Sequence, residues 1–119
     1  MQEEIFGPIV TVYVYPDQDF IQTLRLVSSS SFALTGAIFA TDQSAISEAS
    51  KILRQSAGNY YVNDKCTGSV VGQQPFGGAR LSGTNDKPGG PHYPLKFTSP
   101  IAIKTTHAPL TQWTYPHML

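Results

Sequence analysis

Residues 9 to 15, IVTVYVY, are β-branched or aromatic at every position, and Pro16 and Asp17 interrupt them. That pattern predicts a strand followed by a helix capped at Asp17. From Asp17 to about Ser29, the residues Phe20, Ile21, Leu24 and Val27 recur at three- and four-residue spacing, the single stripe of an amphipathic helix. The serine run 28 to 31 closes it. LTGAIFA, 34 to 40, is apolar on both faces, as a covered parallel strand is, and Gly36 within it marks a close approach. Thr41 or Asp42 then caps a second helix with Ala45, Ile46, Ala49, Ile52 and Leu53 on one face. Lys51 and Arg54 suit its last turn, and Gly58 is its expected stop. NYYVN, 59 to 63, predicts a third strand.

The order β-α-β-α-β with short connections predicts an α/β layered sheet, its strands paired in parallel through right-handed crossovers. After Asn63 the character changes, for seven of the ten glycines lie between residues 68 and 90. A loop of more than about 15 residues without its own secondary structure is uncommon in a domain and usually functional. Val70, Val71, Phe76 and Leu81 are its expected anchors. PHYPLKFTS, 91 to 99, predicts a brief helical turn, and IAIKTTH, 101 to 107, alternates as a last strand does. The tail from 108, with Trp113 and Tyr115, predicts an extended segment whose aromatics need a surface to pack on.

A length of 119 residues allows one compact unit, and 40% hydrophobic content is ordinary for a globular chain. No run approaches the roughly 18 apolar residues of a bilayer span, so no membrane partner is expected. Cys66 is the single cysteine, and His92, His107 and His117 are scattered among prolines, so neither a disulfide framework nor a metal site is expected. The net charge of zero hides an asymmetry: residues 1 to 64 carry seven acids and three bases, residues 65 to 119 five bases and one acid. Five spread bases are too few for nucleic acid; they read first as ordinary solvated surface charge, and second as a bias of a loop toward a small anion. MQEEIFGP carries no basic or apolar leader, so no targeting address is read there.

Candidate chemistry concentrates in the glycine loop. From Gly72 the string GQQPFGGA has the first spacing of a phosphate loop but glycine where the lysine must stand, which removes that reading. Two readings stay open: a structural crossing loop, or a substrate-positioning loop in which glycines bring backbone amides to a ligand and Phe76 offers one rigid face. Cys66 has no base at a recognisable offset and reads as an incidental loop cysteine. Glu3 and Glu4 are either a solvated acidic pair or a carboxylate held at a site mouth by the Gly7-Pro8 turn.

EEIFGP, followed some sixty residues later by NDKCTGSVVGQQPFGGARLSGTNDKPGG, resembles the aldehyde dehydrogenase superfamily. TGSVVGQQPFGG and SGTNDKPGGPHY narrow the resemblance to its glutamate semialdehyde branch, over essentially the whole chain. The resemblance implies NAD as cofactor, with Glu4 hydrogen-bonding the nicotinamide ribose and Phe6 packing near the nicotinamide. It implies an aldehyde anchor over 64–90, in which the amides of Gly68 and Ser69 and the Ser69 hydroxyl hold the substrate's α-carboxylate while Phe76 packs along its aliphatic chain. It places residues 1–99 in the catalytic domain and 100–119 in an oligomerisation strand and tail of a homo-oligomer, a dimer, in the mitochondrial matrix. It assigns no catalytic residue to this chain, because the nucleophile and general base of the family lie upstream. The chain is then expected to be a carboxy-terminal fragment, inactive alone, in an enzyme oxidising glutamate semialdehyde from pyrroline-5-carboxylate to glutamate in proline catabolism. The alternative expectation is a non-enzymatic short isoform that associates with full-length subunits.

Overall fold

The structure, a computed structural model, describes residues 3–119. Its ordered centre is a helix pair over a short parallel sheet. A 3-10 turn, Asp17–Asp19, leads into α1 (Phe20–Ser28), and β1 (Phe32–Ala33) and β2 (Thr35–Ile38) follow. Then come α2 (Gln43–Leu53), β3 (Asn59–Val62) and, far along the glycine loop, β4 (Ala79–Arg80).

β2, α2 and β3 form the expected crossover unit. The two strands pair in parallel, with Thr35 opposite Asn59 and Ile38 opposite Val62. Asp42 is the cap that starts α2, its Oδ1 accepting from the Ser44 amide at 2.8 Å. Leu24 of α1 meets Ala49 and Leu53 of α2 in the buried core, and Phe20, Ile21, Ile38, Ile52 and Tyr60 close around them. The apolar stripes read from the sequence therefore face each other, which is what makes two short helices stable where neither would persist alone.

Elsewhere the structure departs from expectation. Asp17 is not a cap: it opens the 3-10 turn and no side chain caps α1. Gly58 does not stop α2, which ends at Leu53 with the Ser56 amide and hydroxyl both donating to the Leu53 carbonyl at 2.9 and 2.7 Å. Residues 9–15 and 101–107 form no strand, and Val12 and Ile103 are 75% and 82% exposed. A strand is a pairing, and high β-propensity alone leaves its amides and carbonyls to water. These unpaired ends extend the chain to 73 Å along its long axis and give a radius of gyration of 22.7 Å. A closed domain of about 100 residues has roughly 13 Å, so these residues are far more extended than the one compact unit their number allows.

The glycine loop holds a strand the sequence did not announce. β4 returns to pair antiparallel with β1, Phe32 opposite Arg80 and Ala33 opposite Ala79. The expected turn near residue 93 is present as a 3-10 turn, Tyr93–Phe97.

Candidate functional site

Every hydrogen-bonding position of the Asn59 amide side chain is used. Asn59 opens β3 and is 8% exposed. Its Nδ2 donates to the Pro75 carbonyl at 2.9 Å and to the Tyr61 hydroxyl at 3.2 Å. Its Oδ1 accepts from the Gly77 amide at 3.1 Å and from Lys87 Nζ at 3.2 Å. A planar amide with two donors and two lone pairs is the one neutral side chain that can satisfy such a set.

Lys87 completes the knot. Its ammonium also donates to the Gly77 carbonyl at 2.7 Å and to the Gly58 carbonyl. Three acceptors thus meet a head with three donors. Removal from water pushes the Lys87 pKa below the ordinary lysine value. Gly58 and Gly77 converge closely enough that a Cβ at Gly58 would overlap the Gly77 carbonyl, so the glycine that was expected to end a helix instead admits the loop to the strand.

The knot fixes two of the sequence-predicted residues. Phe76 lies between the two backbone groups that Asn59 binds, and its own amide donates to the Pro88 carbonyl at 3.1 Å. Its ring is half-buried. Gly68 sits at φ +62° and its carbonyl accepts from the Tyr61 hydroxyl, which in turn accepts from Asn59. Ser69, next along, is half-buried. Val70, Val71 and Leu81 are not the expected anchors: they are exposed, Val71 by 98%. Polar bonds hold this loop, because a glycine-rich segment has too few apolar side chains to seat itself by burial.

Three of the five basic side chains of the second half have structural employment. Arg80, at φ +52°, donates from Nη1 to the Ser28 carbonyl at 2.8 Å and to the Ser30 carbonyl, tying β4 to the end of α1. Lys96 pairs with Asp86 at 2.8 Å, and Asp86 also accepts from the Thr84 hydroxyl at 2.8 Å. Arg80 and Lys87 are turned to carbonyls and Lys96 to a carboxylate, so these three do not form a basic patch at the loop.

The Lys96 bond first, and the Thr84 bond second, hold the Asp86 carboxyl below its ordinary 3.8, while the same pairing raises Lys96 above 10.5. A lowered carboxyl pKa adds stability above the ordinary carboxylate range and loses it as pH falls through the lowered value. The raised lysine loses its share only as pH climbs through the raised value. Asp86→Asn is accordingly expected to lower the melting temperature by a small margin at neutral pH. That margin should close when both proteins are melted at a pH below the carboxylate range; a margin that persists there would exclude the ion pair as its source.

Glu4 and Phe6 lie in the amino-terminal segment, where residues 3 to 11 curve around an open concavity of about 560 Å³. Phe6 is 95% exposed. Glu4 and Phe6 line this concavity together, and Gly68, Ser69 and Phe76 are not part of it. Cys66 is an exposed free thiol, and no cluster of three metal-ligating side chains occurs among the described residues. No described helix is long and apolar enough to cross a membrane. Asn59 and Lys87 escaped the sequence reading; the available signals were a polar residue opening an otherwise apolar strand and a lysine enclosed in a Gly/Pro-rich loop.

A crossover unit whose return strand is knotted to a glycine loop, downstream of an E-x-F-G-P segment, matches a known family. The chain belongs to the aldehyde dehydrogenase family, whose sequence profile matches residues 1–103. Within that family it is similar to delta-1-pyrroline-5-carboxylate dehydrogenases. It is 66% identical over 119 residues to the mitochondrial enzyme of Bos taurus, covering 99% of this chain and 21% of that one. Identity to the mitochondrial enzyme of Homo sapiens is 63%, again over 99% of this chain and 21% of the relative. The crystal structure of the Mycobacterium tuberculosis delta-pyrroline-5-carboxylate dehydrogenase bound with NAD is 52% identical with a TM-score of 0.76, over 98% of this chain and 22% of that one. The chain spans about a fifth of the length of the relatives it matches.

Proposed function

We propose that these residues supply the aldehyde-anchoring and part of the cofactor-binding surface of an NAD-dependent dehydrogenase that oxidises L-glutamate γ-semialdehyde to L-glutamate in proline catabolism. The observation that carries the reading is the common tether: Gly68 and Phe76 are both tied, through Tyr61, Pro75 and Gly77, to the one buried Asn59. A loop with that tether offers converging amides for a carboxylate and a hydrophobic face for a short aliphatic chain. Gly68 and Ser69 take the α-carboxylate, and Phe76 lies along the methylenes.

The residues near the amino terminus fit the nicotinamide half of NAD. Glu4 is an exposed carboxylate able to accept from two ribose hydroxyls, and the bare Phe6 ring beside it gives an aromatic ring somewhere to rest. When bound, NAD supplies the hydride acceptor. The aldehyde gains one oxygen from water as its carbon gives up that hydride, and the nucleophile and base for these steps come from outside these 119 residues. Cys66, exposed on the anchor loop, is not that nucleophile.

The exposed apolar segments 9–15 and 101–103 favour a second element of the reading: both are unpaired stretches of high β-propensity that a neighbouring strand would complete. Residues 100–119 then serve as the oligomerisation strand and tail of a homodimer, and a non-enzymatic short form would pair with full-length subunits through the same segments. The mitochondrial names of the vertebrate relatives support a mitochondrial location.

The test is a chimera in which residues 1–119 replace the matching segment of the Bos taurus enzyme. NAD reduction with pyrroline-5-carboxylate is expected; a folded chimera without it would sink the reading. In that chimera Ser69→Ala should raise the KM for the amino-acid aldehyde roughly 5- to 30-fold, about 1 to 2 kcal/mol, the scale of one hydrogen bond to a charged group. An unchanged KM would remove Ser69 from its assigned role.

A further inference from the structure

Lys87 touches none of the residues assigned to substrate, yet its hydrogen bonds lead to Gly68 and to both neighbours of Phe76. The ammonium binds the Gly58 and Gly77 carbonyls and Asn59 Oδ1. Asn59 carries the connection in two directions. One runs through the Pro75 carbonyl and the Gly77 amide to the two flanks of Phe76. The other runs through the Tyr61 hydroxyl to the Gly68 carbonyl.

The geometry leaves the loop few other ways to hold its position. Leu81, Val70 and Val71 are exposed, and Gly68 and Gly72 have positive φ with no neighbour within 4 Å of a Cβ position, so this part of the loop lacks packing of its own. A charged donor bound to three acceptors holds more strongly than the neutral bonds around it. The Lys87 backbone is itself left-handed, at φ +56°, and its neighbour Pro88 accepts from the Phe76 amide, so the lysine enters from the loop's far limb and clamps both limbs to the start of β3.

We propose that Lys87 is a positioning residue that sets specificity for a carboxylate-bearing aldehyde, by clamping Gly58, Asn59 and Gly77 so that Phe76 and the Gly68–Ser69 backbone stand at a fixed separation. The proposal rests on the anchoring role given to the loop above. It differs from a general stabilising role in what it moves. A carboxylate must be met by directed amides, so a small drift of the loop weakens its binding steeply, whereas an aldehyde with no carboxylate has only a non-directional apolar contact with Phe76, which the same drift changes little.

In the Bos taurus chimera, Lys87→Met keeps the stem and removes the donors. The KM for glutamate semialdehyde is expected to rise about tenfold, while kcat, the KM for NAD and the KM for propanal stay within about twofold. Tyr61→Phe cuts the branch to Gly68 alone and should give a smaller rise of the same kind, and the double variant should show the Lys87→Met value. Parallel changes for both aldehydes, or KM effects that multiply in the double variant, would overturn the relay. If Lys87→Met yields no soluble enzyme, Lys87→Arg takes its place: a KM raised threefold or more for glutamate semialdehyde against a steady propanal KM supports the assignment, and parallel shifts defeat it. Amide hydrogen exchange over residues 68–78 separates this idea from the functional reading beneath it. Faster exchange in the lysine variant of a chimera with no preference for the carboxylate-bearing aldehyde would discard the substrate reading and keep the clamp; unchanged exchange would discard the clamp.

Discussion

Gly58→Ala is expected to be among the most damaging single-methyl additions in this chain, costing about 3 kcal/mol, the upper end of what overpacking does in a fixed interior. The added carbon would overlap the Gly77 carbonyl and crowd Gly78, all backbone, so no side chain can swing aside to admit it. The acceptor pair held by Lys87 would be forced apart with it. Gly68→Ala is the control: it adds the same methyl group at a left-handed φ of +62° with nothing within 4 Å. It should cost about 1 kcal/mol from backbone strain alone. Thermal and urea denaturation of the two variants in the chimera measure the difference, and equal losses would mean that the close approach of the loop to β3 is not rigid.

Asn59→Leu should cost a comparable 3 kcal/mol or more, for a different reason. The substitution nearly keeps the volume but strands the Gly77 amide, the Pro75 carbonyl and one donor of Lys87 in a site that is 8% exposed. Each unsatisfied buried group costs roughly 1 to 3 kcal/mol. Asn59→Asp discriminates between size and bonding. A carboxylate still accepts from Gly77 and faces the Lys87 ammonium more favourably, but it no longer donates to Tyr61 and sets an oxygen against the Pro75 carbonyl where a donor stood. Its loss should be about half that of the leucine variant by the same hydrogen-bond scale. Were leucine the milder of the two in denaturation, the side-chain bonds would not be what holds the loop.

Both predictions concern residues that pattern reading passed over or assigned elsewhere. Gly58 was legible as a glycine that matters, and a helix stop is its commonest use. Only the path of the loop reveals that it faces Gly77. Asn59 was read merely as the first residue of a strand. The same holds for Arg80 and Lys87, which counted as free positive charge until their carbonyl partners were known. The residues assigned to ligand by resemblance, Glu4, Phe6, Gly68, Ser69 and Phe76, were visible because a short motif keeps them at fixed spacing. What holds those residues in place was not visible, since its parts lie as far apart in the chain as Gly58 and Lys87.

The sequence by itself determined α1, β2, α2 and β3, because apolar periodicity and the Asp42 cap act over a few residues and two facing stripes suffice to bury one another. It also determined the family, through short motifs whose residue types and spacing are specific to it. Tertiary structure alone decided that IVTVYVY and IAIKTTH stay unpaired while Ala79 and Arg80, with little β-propensity, become a strand. Pairing is a relation between segments: a strand exists where another backbone offers its amides and carbonyls, and β1 offers them to β4 whereas none of the described residues offers them to residues 9 to 15.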